Sequence, residues 1–295
     1  MRRSQSTWSN STVSFVVATW MVLACPDPAA AHDSWLVAGA NSSKAGETIR
    51  LAIVTAEVFP VSEHAAEPER IKEWAVVHAD DKREVSSFAI EGMELAARFE
   101  MDRPGMHVIA VALRPRYIEI ESADFDAYLE DEHAEAALAA RHANNEQEKP
   151  GRELYTKLAK TFVEVADDSK DTTYQQPVGH PLEIIPLSNP CRWNVGDEVL
   201  VRVLRNGQPA AGLRVSCGHE GLPPHTYVQN VITDEDGVAR IRLSRPGLWF
   251  ARTHTINAVE QPGSTVEVGA STGERASADW ESFWASITFR VAGGE

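Results

Sequence analysis

Positive charge is scarce in this sequence, and the shortage excludes one class of partner. Lysine and arginine number 28 against 43 aspartate and glutamate residues, so the formal net charge is −15 at pH 7. An acidic surface repels the phosphate backbone of nucleic acids. We therefore expect no nucleic-acid partner, and the charge favours cations without identifying one.

Cysteine is scarcer still, and motifs for phosphate chemistry are missing. The chain has three cysteines, and neither Cys191 nor Cys217 lies in a motif that would activate a thiolate. No glycine-rich loop is present that would cradle a nucleotide phosphate. We expect a protein that is not an enzyme.

Long apolar runs are also missing, apart from one near the N-terminus. Residues 12–24 are mostly apolar, but they are fewer than the ~20 that a membrane-spanning helix needs. Arg2 and Arg3 precede this run and an alanine tract ending at Ala31 follows it, which is the three-part pattern of a signal peptide. The sequence thus predicts an exported protein, periplasmic or secreted.

Two processing sites compete within this leader. Cleavage after Ala31 would leave His32 as the first residue of the mature protein, and the small residues favour this site. The segment 22–25 resembles the box that precedes a lipidated cysteine, and processing there would anchor the chain at Cys25. Membrane contact is expected only in the second case.

Export also bears on the two remaining cysteines. An oxidising compartment allows a disulfide between Cys191 and Cys217 to persist, and such a bridge is our first expectation. Two buried thiols in neighbouring strands are the alternative, since only the Cα separation decides between them.

The hydropathy pattern predicts a mainly β fold with two Ig-like or transthyretin-like β-sandwich domains and a helical hairpin inserted before the second. A weak internal repeat supports two similar domains, because residues 45–53 resemble 195–203 and residues 103–108 resemble 245–250 in the same order. The predicted organisation is a signal peptide (1–31), an N-terminal sandwich (32–121), the helical hairpin (122–166), a linker (167–180) and a C-terminal sandwich (181–295).

The helices are predicted from a change of period between the two domains. Residues 123–143 carry apolar side chains, Phe125 and Leu129 among them, on one helical face. After the break at Pro150, Leu154 and Phe162 belong to a set of apolar residues at steps of four, which predicts a second helix ending near residue 165. The second domain is predicted to contain six strands, at residues 198–204, 212–217, 226–232, 239–243, 248–254 and 285–291.

Ten stretches, in a fixed order along the chain, carry a family resemblance: His32-Asp33-Ser34-Trp35-Leu36, Phe59-Pro60, Pro68-Glu69-Arg70-Ile71, residues 125–129, Glu153-Leu154-Tyr155 with Lys160, residues 182–186, residues 233–237, Arg245-Pro246-Gly247-Leu248-Trp249, His254 and residues 279–286. Together they resemble the domain of unknown function 4198 family, whose members are described as NikM-like and nickel-uptake-associated. The resemblance implies an extracytoplasmic protein that takes part in the uptake or handling of nickel, cobalt or copper. Many relatives have Met after the matching histidine, whereas Thr255 stands here, which weakens the case for a thioether ligand.

The metal ligands that we predict are His32 and His254. An N-terminal histidine offers its α-amino nitrogen and its imidazole as a compact pair suited to Cu(II) or Ni(II). A further donor must come from elsewhere, and His254, in a position that the resemblance also supports, is our candidate. The alternatives are that His32 merely follows the cleavage site and that His254 is a hydrogen-bonded strand residue.

Two other groups are weaker candidates for a binding site. His219 and His225 flank a loop that with Glu220 could bind zinc, although loop polarity explains them as well. Trp280 and Trp284 could stack on a sugar, but such aromatic residues more often close the core of a sandwich.

Three hypotheses about function follow from the sequence. The first is an extracytoplasmic accessory protein that binds or handles a transition metal ion (nickel, cobalt or copper), with a membrane transporter or outer-membrane receptor as partner. The second is a periplasmic interaction module that binds a carbohydrate or protein. The third is a copper-dependent oxidative enzyme with an N-terminal histidine site, which rests on analogy alone.

Overall fold

Strands dominate the fold of this chain. The computed structural model describes residues 32–166, 170–259, 265–267 and 275–294. The predicted signal peptide, with both of its processing sites, lies outside the described residues. None of the helices in the described ranges has the length and hydropathy that a membrane crossing requires.

The described elements, in chain order, are twenty strands and two α-helices, with three 3-10 helices at Pro68–Arg70, Thr173–Gln175 and Pro190–Arg192. The first group is β1 (Asp33–Ala38), β2 (Ser42–Ser43), β3 (Glu47–Ala56), β4 (Ile71–His78), β5 (Asp81–Glu84), β6 (Phe88–Glu91), β7 (Glu94–Met101), β8 (Gly105–Leu113), β9 (Arg116–Ile120), α1 (Ser122–Asp131), α2 (Glu135–Ala143) and β10 (Gly151–Val165). The second group is β11 (Leu182–Pro186), β12 (Glu198–Arg205), β13 (Gln208–Pro209), β14 (Arg214–His219), β15 (Gln229–Ile232), β16 (Val238–Arg242), β17 (Gly247–Ala258), β18 (Thr265–Glu267), β19 (Arg275–Ser277) and β20 (Trp280–Val291).

A ten-stranded sheet runs through the molecule, in the order β15-β14-β17-β20-β10-β8-β4-β5, with β2 and β9 also paired to β10. Strand β10 is its centre, since it pairs in parallel with β20 and antiparallel with β8. The N-terminal strands and the C-terminal strands therefore belong to one continuous sheet.

Two four-stranded sheets cover opposite faces of this central sheet. The sheet β1-β3-β7-β6 forms one core with its N-terminal half, and β11-β12-β13 with β16 forms another with its C-terminal half. Each layer hides apolar side chains from water, which is what stabilises a sandwich. The predicted mainly β fold with β-sandwiches is confirmed, and each of the six strands predicted in the second domain has a counterpart, in β12, β14, β15, β16, β17 and β20.

The prediction of a second helix at residues 151–165 is wrong, because this segment is strand β10. Apolar residues at steps of four also fit a period of two, so Leu158 and Phe162 point to the C-terminal core. The intervening Ala159 and Val163 point to the N-terminal core. A strand buried on both faces lacks polar alternation, and its pattern is then easily mistaken for a helix.

The helical hairpin that the structure does contain is formed by α1 and α2, within residues 122–143. The single long helix predicted there is broken at His133, which has a φ of 54°. The two helices pack on the same face of β17 and β20 as the β1 sheet and cover the part of it that this sheet leaves open. There Phe125, Leu129 and Ala137 pack in one cluster with Ile256. The insertion before the second sandwich is therefore real but shorter than predicted.

The disulfide expected between Cys191 and Cys217 is not formed, and both residues are free thiols. Cys217 is buried in β14, and Cys191 lies in the 3-10 helix Pro190–Arg192. Burial raises the pKa of the Cys191 thiol to about 12 and that of Cys217 further. The alternative of two buried thiols in neighbouring strands holds for Cys217 only, because Cys191 is partly exposed and lies outside the strands.

The internal repeat has a structural counterpart at the starts of β8 and β17, the strands that begin with Gly105 and Gly247. Both glycines have a positive φ, 117° and 121°. In each case a carboxylate accepts the next backbone N–H: Asp171 Oδ2 lies 2.6 Å from Met106 N, and Glu220 Oε1 lies 3.0 Å from Leu248 N. A Cβ at either glycine would collide with that carboxylate.

We expect Gly105→Ala to destabilise the protein more than Gly46→Ala. Both positions have a positive φ, but a Cβ at Gly46 would meet nothing within 4 Å. The control therefore measures backbone strain alone, about 1–2 kcal/mol. Gly105→Ala should cost about 1–3 kcal/mol more, because it displaces the carboxylate from a buried N–H. Urea unfolding measures the difference, and equal losses would contradict the proposed role of Asp171.

Candidate functional site

A layer of buried polar side chains lies on the central sheet beneath the helical hairpin. In register, Lys157 of β10 is beside Trp284 of β20, which is beside His254 of β17. Neighbouring strands place these three side chains on one face, because paired residues in a sheet share a face. Charged groups are seldom buried without partners, so the contacts of each group are informative.

Arg252 is the central cation of this layer. Its guanidinium donates to Asp33 Oδ1 at 3.2 Å and to Glu132 Oε2 at 2.8 Å. Burial lowers the pKa of Arg252, but the two carboxylates outweigh burial and raise the pKa above its ordinary value. The pair of salt bridges ties β1 and the end of α1 to β17.

Glu153 is the buried acid of the layer. Its Oε1 accepts hydrogen bonds from the Ser282 hydroxyl and from Tyr128 Oη, the latter at 3.3 Å. Trp284 Nε1 donates to Ser282 Oγ at 2.9 Å and so holds that hydroxyl in place. Burial raises the pKa of Glu153, although the bond from Ser282 opposes the shift.

Lys157 differs from the other buried ions in having no hydrogen bond. The residue is 4% exposed, and its Nζ has no hydrogen-bond partner among the described residues. The nearest carboxylate oxygen, Asp33 Oδ1, is 3.9 Å away, and the ammonium lies 4.0 Å from the centroid of the Trp284 ring. Burial lowers the pKa of Lys157 to about 8.

A cavity of about 300 Å³ lies beside Lys157 and extends to His32. Its walls combine cationic, imidazole and apolar side chains. The lining residues are His32, Ser34, Thr55, His64, Ala65, Ala66, Glu67, Arg70, Leu113, Arg116, Tyr117, Ile118, Tyr155 and Lys157.

His32, the first predicted ligand, lies at this cavity with a carboxylate and a second imidazole. Its Nε2 is 2.8 Å from Glu63 Oε2 and 4.0 Å from Glu57 Oε1. The ring of His64 stands edge-on, with the two ring centroids 5.0 Å apart. Burial and the neighbouring His32 lower the pKa of His64, which favours the neutral form that binds metals.

His254, the second predicted ligand, lines a different cavity together with His133 and Arg214. Its ring stacks on Trp284 with centroids 4.5 Å apart, and its Nδ1 is 3.9 Å from Glu132 Oε2. Burial, with the charge of Arg252, lowers its pKa to about 3. No hydrogen bond, ion pair or ring contact joins the described side chains of His32 and His254.

Other predicted candidates fill structural positions. The ring of His219 is buried against Trp249, and its Nδ1 lies 2.8 Å from the backbone oxygen of Glu220. Trp280 and Trp284 are 2% and 4% exposed, so they close a core, as the commoner interpretation of the sequence had it. In the ranges that the structure describes, no group of three or more His, Cys, Asp and Glu side chains is arranged to hold a metal ion.

Sequence reasoning missed Lys157, Arg252 and Glu153. All three lie in strands that also carry other polar or charged residues, so no pattern in the sequence singled them out. One further pattern, the Gly-x-Ser-x-Gly sequence at residues 269–273, lies outside the described residues, and we assign it no role.

The chain belongs to the family described as Domain of unknown function (DUF4198), whose profile matches residues 29–257. A search of curated proteins found no match. Among solved structures, the chain is similar to the D0-D1 domain of Intimin, at 11% identity over 86% of this chain and 96% of that one, with a TM-score of 0.19.

Two further similar structures come from bacterial proteins. They are Salmonella alpha-2-macroglobulin reacted with methylamine (11% identity, 88% of this chain and 14% of that one, TM-score 0.23) and the Yersinia pseudotuberculosis adhesin InvE (10% identity, 87% and 58%, TM-score 0.20). Superpositions of this quality support no statement about function.

We expect Arg252→Met to destabilise the protein by about 3–5 kcal/mol, because it leaves the carboxylates of Asp33 and Glu132 buried without their cation. Arg240→Met is the matched control, since Arg240 pairs with Glu198 at the surface, where an ion pair contributes about 0–1 kcal/mol. Urea unfolding at pH 7 measures both variants. Similar small losses would show that the network does not stabilise the fold.

We expect His254→Gln to make stability less dependent on pH. The folded pKa is about 3, against about 6.5 in the unfolded chain, so the unfolded state takes up the proton first as pH falls. Between pH 7 and pH 5 the unmodified protein should therefore lose about 2 kcal/mol more than the variant.

Urea unfolding at several pH values measures this difference. His133→Gln is the control, because His133 has a side chain that is 52% exposed, and it should leave the pH profile unchanged. Parallel profiles for His254→Gln and the unmodified protein would contradict the expected burial of a neutral imidazole.

Proposed function

We propose that this protein acts outside the cytoplasm as an accessory protein that binds a transition metal ion, nickel, cobalt or copper, with His32 as its first ligand. The observation that carries the proposal is the contact of His32 with Glu63 and His64. Imidazole nitrogens with a carboxylate form a donor set that suits these metals. The extracytoplasmic location rests on the signal-peptide pattern of residues 1–31.

The terminal amine would complete the donor set. Cleavage after Ala31 would free the α-amino nitrogen of His32, which can chelate together with the same residue's imidazole. The side chains of His64 and Glu63 would then supply the remaining donors, whereas the side chains alone form no three-donor group. Metal binding would thus depend on processing.

His64, and not His254, is the second histidine in this proposal. His254 lies against Arg252 and Glu132, where the guanidinium disfavours a further cation. His64 has the ring contact with His32. The interaction-module and copper-enzyme hypotheses stay predictions, and so do the absence of enzymatic activity and a transporter or outer-membrane receptor as partner.

The test is the stability of protein that begins at His32 in the presence of Cu(II), Ni(II) or Co(II). Metal at one hundred times its dissociation constant should add about 2.7 kcal/mol to the free energy of unfolding. His64→Ala should weaken binding at least tenfold, because one of the few donors is lost. Calorimetric titration at pH 7.5 measures the affinity.

Two controls sharpen the test. His133→Ala removes an exposed histidine outside this donor set and should bind metal normally. A chain that begins at Ala31 keeps every side chain but moves the free amine away from His32, and its affinity should fall at least tenfold. Stabilisation by none of the three metals would refute the proposal, as would equal affinity in His64→Ala.

A further inference from the structure

We infer that the cavity beside His32 binds a small organic anion with two or three carboxylate groups, and that Lys157 holds one of them. The inference does not depend on metal binding. It rests on the buried ammonium, on the cations around it and on the size and lining of the cavity.

The Lys157 ammonium has three donors, and none has a hydrogen-bond acceptor among the described residues. At 3.9 Å the Asp33 oxygen is too distant for a hydrogen bond, and Asp33 already accepts one from Arg252. A buried cation without hydrogen bonds is costly to fold around. A carboxylate in the adjoining cavity would supply the missing acceptors.

A second cation of the cavity has a free donor as well. Arg70 Nε is buried and has no hydrogen-bond partner among the described residues, while Arg70 Nη2 donates to the backbone oxygen of Arg114 at 2.9 Å. Its guanidinium lies 5.3 Å from the centroid of the Tyr155 ring, which restricts its orientation. Arg116, an exposed residue, adds a third positive charge to the lining.

The charge of the cavity is opposite to that of the whole protein. The chain has a formal net charge of −15, yet Glu67 is the single acidic residue among the described lining residues, against Lys157, Arg70 and Arg116. A concave, partly apolar wall strengthens the field of such charges. The cations of the lining therefore offset, at the cavity, the repulsion that the acidic surface exerts on anions.

The dimensions favour an organic acid over an inorganic anion. A volume of about 300 Å³ is at the lower end for small-molecule sites. Leu113, Ile118 and Tyr155 provide apolar contact for a short carbon skeleton. Inorganic phosphate would leave this apolar wall unused, whereas the carbon skeleton of a di- or tricarboxylate can contact it while the carboxylates pair with the cations.

The experiment is a calorimetric titration of protein that begins at His32, freed of metal on a chelating resin, with propane-1,2,3-tricarboxylate, succinate and inorganic phosphate as probes. We expect the tricarboxylate to bind most tightly and phosphate most weakly. Lys157→Met keeps the aliphatic stem without the charge and should weaken carboxylate binding at least tenfold. Arg116→Gln, at an exposed position that should not affect folding, should weaken it about threefold.

Lys149→Met is the control, since Lys149 is an exposed cation that is not among the lining residues, and it should bind the probes normally. Binding of none of the probes at millimolar concentration would overturn the inference. So would tighter binding of phosphate than of both carboxylates, or carboxylate affinities unchanged in Lys157→Met and Arg116→Gln. The metal-free conditions separate this result from the metal titration.

Discussion

The pairing of β10 with β8 on one edge and β20 on the other is the constraint from which the rest of the architecture follows. It merges two sandwiches into one sheet, and the alternate side chains of β10 serve two different cores. The residues of β10 that face these cores, Leu158 and Phe162 on one side and Ala159 and Val163 on the other, are apolar. Where β10 passes beneath the helical hairpin, its residues Glu153 and Lys157 are charged instead.

Among the buried charges of this layer, Glu153 and Arg252 have hydrogen-bond partners from neighbouring elements, whereas Lys157 bonds to none of the described residues. Asp33 of β1 and Glu132 at the end of α1 both bond to Arg252. The same contacts fix the beginning of β1, since Asp33 also pairs in register with Ala56 of β3. The position of His32 beside the cavity is therefore a consequence of the ion pair and the sheet register that hold the next residue.

The proposed metal site and the proposed anion site share one cavity, so the charges of the two ligands would act on each other. A cation bound at His32 would be repelled by the cations of the cavity wall, of which Lys157 is buried and Arg70 is half-buried. A carboxylate bound between the metal ion and these side chains would offset this repulsion, because opposite charges within a few ångströms in a partly dry site interact strongly. Either ligand would then favour the other, although neither proposal requires it.

The fold class, the short strands of the second sandwich and the presence of helices ahead of it could be predicted from the sequence, because turn residues and local periodicity depend on near neighbours in the chain. It could not assign β10, since Leu154, Leu158 and Phe162 fit both a helix and a strand, and only the two covering sheets distinguish them. It selected His32 on the chemistry of a terminal residue, whereas His64 and Lys157 became candidates only when folding brought them to the same cavity. Pairing across sheets, burial of a charge and the lining of a cavity depend on residues far apart in the chain, so they are visible only in the folded molecule.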